Sequence, residues 1–119
     1  MPRPDPVLGR AAEDAAAAAL VRAGYRVLAR NCVTPFGEID IVAERKGRLT
    51  FVEVKARRDG DASDALTRTK FRRVARAAGH LAASRGLAEM PRDYLGAAVD
   101  VPRTGAPGAV AFHPVEDVP

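Results

Sequence analysis

Residues 38–45 and 49–57 are two runs of alternating side chains separated by Lys46-Gly47, and no other stretch constrains the fold as tightly. Alternation over this length marks β-strands, and a glycine in a short connection marks a turn. With the turn centred on Lys46-Gly47, Arg45 faces Arg48 and every later pair is fixed. Asp40 then lies opposite Glu53, and Glu38 opposite Lys55. Ile39, Ile41, Ala43, Val52, Val54 and Ala56 form one apolar face, the natural core side. The other face carries Asp40, Glu53 and Lys55, but also Val42 and Phe51 toward the turn. A second layer is therefore expected to cover part of it and leave the acidic end in a cleft.

The rest of the chain supplies that packing. Residues 1–6 are Pro-rich and read as a flexible tail, with residues 7–119 as one domain. Over residues 7–23, Leu8, Ala12, Ala15, Ala16, Ala19, Leu20 and Ala23 recur at helical spacing, and Gly24 suits the helix stop. Residues 25–32 read as a strand and Thr34-Pro35-Phe36-Gly37 as a turn. Residues 66–85 form a second helix with Phe71, Val74, Ala78, Leu81 and Ala82 on its core stripe. Residues 94–101 are a strand, and residues 109–115 a last strand whose Pro114 confines it to an edge. The order is αβββαββ, an α/β fold with a mixed central sheet flanked by helices.

Composition bounds the chemistry. Among 119 residues the formal net charge is +4, which favours an anionic partner such as nucleic acid. The single cysteine, Cys32, excludes an intramolecular disulfide, and with only two histidines a structural zinc site is not expected. The apolar run from Ala15 to Val21 is shorter than the roughly 20 residues a membrane span needs. A cytoplasmic protein without membrane association is expected.

The charged face of the hairpin is the feature that asks for chemistry. Side chains directly opposite on one face have Cβ atoms about 5 Å apart, and like charges there are destabilising. Two carboxylates so placed need compensation, and a divalent cation supplies it because hard cations collect carboxylate oxygens. Lys55 points to the same face as Glu53. The plain alternative is a solvated strand pair, but such a surface would more often set a lysine opposite Asp40. Glu13 lies at the edge of the first helix's apolar stripe, where it either joins these acids or turns outward beside Asp14.

Asp40 followed by Glu53-Val54-Lys55 has the form of the PD-(D/E)XK nuclease pattern, which alone is degenerate. The surrounding words are more specific: GRAAEDAAAAAL, GYRVLARN, GEIDIVA and FVEVKAR, followed by a helix led by Lys70. Together they resemble the YraN family (uncharacterised protein family UPF0102), over residues 9–101. That family resembles Holliday junction resolvases and restriction endonucleases in fold. The resemblance implies a restriction-endonuclease-like core and a site made of Glu13, Asp40, Glu53 and Lys55. Ala12 stands where glycine is usual, and Ala98 where arginine commonly precedes the late aspartate, here Asp100.

The activity implied is metal-dependent hydrolysis of phosphodiester bonds in nucleic acid, DNA ahead of RNA and branched substrates included. Mg²⁺ or Mn²⁺ would sit on Asp40 and Glu53, with the Val54 carbonyl and Glu13 as further ligands. Arg57, Arg58, Arg68, Lys70, Arg72, Arg73 and Arg76 would grip the backbone. Resolvase relatives act as dimers, so a homodimer is compatible with this reading. The alternative is a non-catalytic nucleic-acid-binding module of the same fold, followed by a protein-interaction domain.

Overall fold

The computed structural model describes residues 6–57, 68–102, 108–116 and 118, with the side chains of residues 6–8 and 68–70 outside the description. The elements are α1 (Pro6–Arg22), β1 (Arg26–Thr34), β2 (Gly37–Arg45), β3 (Arg48–Arg57), α2 (Arg68–Ser84), β4 (Arg92–Asp100) and β5 (Val110–Pro114). The expected αβββαββ order holds. Strand β1 runs two residues beyond its expected end, because Cys32 to Thr34 stay paired with Gly37 to Ile39.

The five strands form one sheet in the order β1-β2-β3-β4-β5. Three junctions are antiparallel and join strands that follow one another in the chain. The β3–β4 junction is parallel, which requires a crossover, and α2 provides it. Pro114 sits on β5 at the sheet edge, where its missing N–H removes no rung from a central ladder.

Both faces of the sheet are covered. On one face Ala12, Ala16 and Leu20, a turn apart on α1, are fully buried against Ile41, Val52, Ala97 and Val99. Alanine at two of these three positions brings the helix backbone close to the strands. On the other face Phe71, Val74, Ala77, Ala78 and Ala82 of α2 pack on Ile39, Val42, Leu49 and Phe51. Val42 and Phe51, on the charged face of the hairpin, thus belong to a second core. Among the described residues no helix is long and apolar enough to cross a membrane.

The turn that fixes the hairpin register is of the kind that suits twisted strands. Lys46 has φ 53° and Gly47 φ 76°, so both central residues are left-handed. Glycine adopts that conformation without the steric cost a Cβ imposes. Arg45 pairs with Arg48, and the register then runs unbroken to Ile41 opposite Val52.

One expectation fails. Ile39 does not share a face with Ile41: it packs beneath α2 with Val42, while Ile41 packs beneath α1. The alternation breaks around Asp40. Asn31, which has φ 52°, falls opposite it, between the pairs Arg30↔Ile41 and Cys32↔Ile39, whose register is the same; the register shift of this strand pair lies earlier, between Val27 and Ala29. Asparagine is among the few residues that enter the left-handed region readily.

Close packing of α1 has a measurable consequence. Ala16→Leu forces extra methylenes into a seam with no free volume, so stability should fall by about 1–3 kcal/mol. Urea denaturation checks this; an unchanged midpoint would mean that α1 is free to lift off the sheet.

Candidate functional site

The β2–β3 ladder stops one pair short of Asp40 and Glu53. There the Asp40 side chain takes over from the backbone: its Oδ2 accepts the Val54 N–H at 2.7 Å. The N–H and C=O of one strand residue project toward the same neighbour. The Val54 carbonyl therefore also faces the gap between β2 and β3. The gap is held open by a side chain and bordered by two carboxylates and one carbonyl.

Glu53 lies on the α2 side of β3, next to Phe51 in the alternation. Its Oε1 is 3.5 Å from Nη2 of Arg73 on α2. Its Oε2 is buried and has no hydrogen-bond partner. Arg73 also donates from Nη1 to the Glu38 carbonyl at 3.4 Å. The guanidinium reaches this position because residue 37 is glycine. A Cβ built at Gly37 would fall on the Arg73 guanidinium, and Gly37 has φ 127° in addition. The glycine of the GEID word is therefore a packing requirement of the site, a role not read from the sequence. Arg73, expected only as a backbone-gripping residue, is the site's internal counter-charge.

Glu13 stands on α1 at the edge of the buried stripe, with 19% of its side chain exposed. Arg30 lies 3.9 Å from it and forms a shorter pair, 2.7 Å, with Asp14. Glu13 is close enough for its charge to act on both Asp40 and Glu53. Lys55 is half-buried on the same face as Glu53, and Arg57 follows it at the end of β3. Arg72 and Arg76 are exposed on α2. Arg58 lies outside the described residues, as do the side chains of Arg68 and Lys70.

The electrostatics follow from this crowding. Burial pushes the Asp40 carboxyl up to about 6, opposed by the Val54 N–H and Arg73 and reinforced by Glu13 and Glu38. Burial pushes Glu53 up to about 7, reinforced by the charges of Asp40, Glu38 and Glu13 and opposed by Arg73. Each acid thus disfavours ionisation of the other, and the two titrate as a pair. Arg73 is the cation whose charge opposes both shifts, and both carboxyl groups stay raised in spite of it.

This is a setting that a hard cation fits. Glu53 offers a buried oxygen with no partner, Asp40 lies beside it, and the Val54 carbonyl faces the same gap. Among the described residues no three His, Cys, Asp or Glu side chains converge into a ready-made cage. Mg²⁺ does not need one, since it binds through one or two carboxylates and fills its octahedron with water and substrate phosphate.

The raised values carry a sign for stability. Between about pH 4 and 7 the folded chain holds protons on Asp40 and Glu53 that the unfolded chain has released. Their contribution is therefore present at low pH and lost as pH rises through the folded values. The exposed Arg48–Asp93 pair acts oppositely, but through a lowered Asp93 value and so below this range. Without divalent cations the melting temperature should fall as pH is raised across this range. Asp40→Asn keeps an acceptor for the Val54 N–H and should flatten that fall and raise the melting temperature at about pH 8. A melting temperature that climbs with pH in the wild-type chain would contradict the strained-pair account.

Comparison with known proteins places the chain. A UPF0102 protein of Nitrobacter winogradskyi is 56% identical over 71 residues, covering 59% of this chain and 60% of the relative. One from Rhodopseudomonas palustris strain HaA2 is 51% identical over 82 residues, covering 65% and 64%. One from Symbiobacterium thermophilum is 49% identical over 74 residues, covering 60% and 63%. The matches thus span about three fifths of the length of these relatives. The description "Uncharacterised protein family UPF0102" matches residues 12–101, from α1 through the end of β4, and the chain belongs to that family.

Proposed function

We propose that this chain is a divalent-cation-dependent nuclease that hydrolyses phosphodiester bonds of nucleic acid, DNA ahead of RNA. The observation that carries the reading is the pair Asp40 and Glu53: two half-buried carboxylates with raised values, one with an unsatisfied buried oxygen, at a gap in the sheet. Strain of this kind is typical of functional sites and is relieved by a bound cation.

Asp40, Glu53 and the Val54 carbonyl would hold Mg²⁺ or Mn²⁺, and Glu13 would reach it through water. A bound cation supplies Lewis acidity toward the phosphate and lowers the pKa of water. Lys55 sets a positive charge on the same face as Glu53, where negative charge develops on the phosphate. Arg73 offsets the acids and keeps Glu53 beneath α2. Arg57, half-buried at the end of β3, and the exposed Arg72 would hold the flanking backbone, a contact that weakens steeply with salt.

The test is direct. The purified chain is incubated with Mg²⁺ or Mn²⁺ and branched, nicked and linear DNA, and with RNA. Cleavage is expected, and Asp40→Asn and Glu53→Gln should each reduce it by at least about a hundredfold. The cation should also raise the melting temperature, more at about pH 8 than at about pH 5, because binding displaces protons from the pair. Failure to cut any of these substrates would sink the catalytic reading. The lack of a three-acid cluster among the described residues favours, as a second reading, a module that binds nucleic acid without cutting. It predicts salt-sensitive binding that Asp40→Ala leaves unchanged.

A further inference from the structure

The turn between β1 and β2 presents an aromatic side chain beside the carboxylate gap. Thr34 is buried, and its hydroxyl clamps both arms of the turn. The Thr34 Oγ1 accepts the Phe36 N–H at 3.1 Å and donates to the Gly37 carbonyl at 2.7 Å. Pro35 fixes a further backbone angle between them. Phe36 is thus held firmly, yet 39% of it remains exposed. A phenylalanine meant only to anchor the turn would be covered.

Its surroundings are cationic. The Arg76 guanidinium lies over the Phe36 ring, 5.0 Å from the centroid. The His80 ring meets it edge-on at 6.0 Å. Arg73, Arg76 and His80 are three and four residues apart and so share one face of α2. Arg73 is the residue that packs on Gly37 and pairs with Glu53.

We propose that Phe36, buttressed by Arg76 and His80, is a stacking platform for one unpaired nucleobase. The ring and Glu53 both lie on the α2 side of the sheet, joined through Arg73, which packs on Gly37 beside Phe36 and pairs with Glu53. A base within a duplex is already stacked on both faces and is unavailable. The platform therefore selects single-stranded, frayed or branched nucleic acid. Its role in cleavage rests on the nuclease reading; its role in binding does not, and is measurable without any divalent cation.

The chain has no tryptophan, so Phe36→Trp introduces a single fluorescent reporter at the platform. In EDTA, single-stranded DNA and RNA oligomers are titrated in parallel with a blunt duplex and with an abasic oligomer of the same length. Strong quenching is expected with a single strand, DNA or RNA, and weak quenching with the duplex and the abasic strand. Whichever of DNA and RNA quenches at lower concentration is the favoured source of the base. In anisotropy, Phe36→Leu should weaken single-strand binding by roughly five- to a hundredfold with the salt dependence unchanged. Arg76→Gln should instead shallow the salt slope by about one. Equal quenching by the abasic oligomer, or wild-type affinity in a Phe36→Leu chain that melts normally, overturns the platform. Quenching without cleavage on any substrate upholds the platform and removes the nuclease reading. Cleavage together with equal quenching by the abasic oligomer removes the platform and upholds the nuclease reading.

Discussion

The bond from the Val54 N–H to the Asp40 carboxylate is the contact on which the site depends. It stands where the next backbone rung between β2 and β3 would be. A backbone rung would close the sheet and leave no gap. With no contact at all, the Val54 N–H would be left unsatisfied inside a part-buried site, at a cost of about 1–3 kcal/mol. A carboxylate from the facing strand satisfies that donor while holding the strands apart. It also aims a negative charge at the space it opens. One side chain therefore ends the ladder, bridges the gap and sets its charge there.

The gap would be hard to sustain without the layers on either side. Ile41 and Val52, the last backbone pair, lie under α1, and Phe51 lies under α2. The hairpin is thus clamped from both faces just before it opens. Arg73 descends from α2 onto Glu53, its guanidinium passing over Gly37 where a side chain would stand. The counter-charge is incomplete: Glu53 Oε2 has no partner, and burial and neighbouring acids raise both carboxyl groups. A chain selected for stability alone would set an amide or an apolar side chain here. Retaining the pair is a stability cost of the sort that active sites carry.

Much of this was legible because it follows from the turn. Lys46-Gly47 and the alternation on either side fix which residues of β2 and β3 face each other, and the paired part of the hairpin follows that register. The edge placement of β5 was legible from Pro114, because proline cannot donate to a central ladder. The break at Asp40 was not. Residues 38–45 alternate smoothly, and nothing local separates Ile39 from Ile41. The break depends on Asn31 in the left-handed region, and asparagine occurs equally well in an ordinary strand end. The role of Arg73 was hidden for a different reason. It is one of several arginines on α2, and the distinction lies across the sheet, at a glycine thirty-six positions away. Periodicity reads which face a residue occupies; it does not read what stands opposite in another element.

Glu13 shows how that limit bears on the site. From the first helix alone it reads equally as a surface acid or as a member of the acidic cluster, and it occupies a position between these extremes. Its partner, Arg30, is 3.9 Å away and more tightly held by Asp14 at 2.7 Å. A long, partly exposed ion pair contributes about 0–1 kcal/mol. Releasing Glu13 from Arg30 therefore costs little, and Asp14 keeps Arg30 compensated when it goes. A cation in the gap would attract Glu13 with far less screening than water gives the Arg30 pair, because Asp40 and Glu53 are largely buried. On the proposed metal-dependent reading the helix acid would be a reserve ligand: loosely tethered while the two strand acids stand alone, and drawn inward by a cation bound to them.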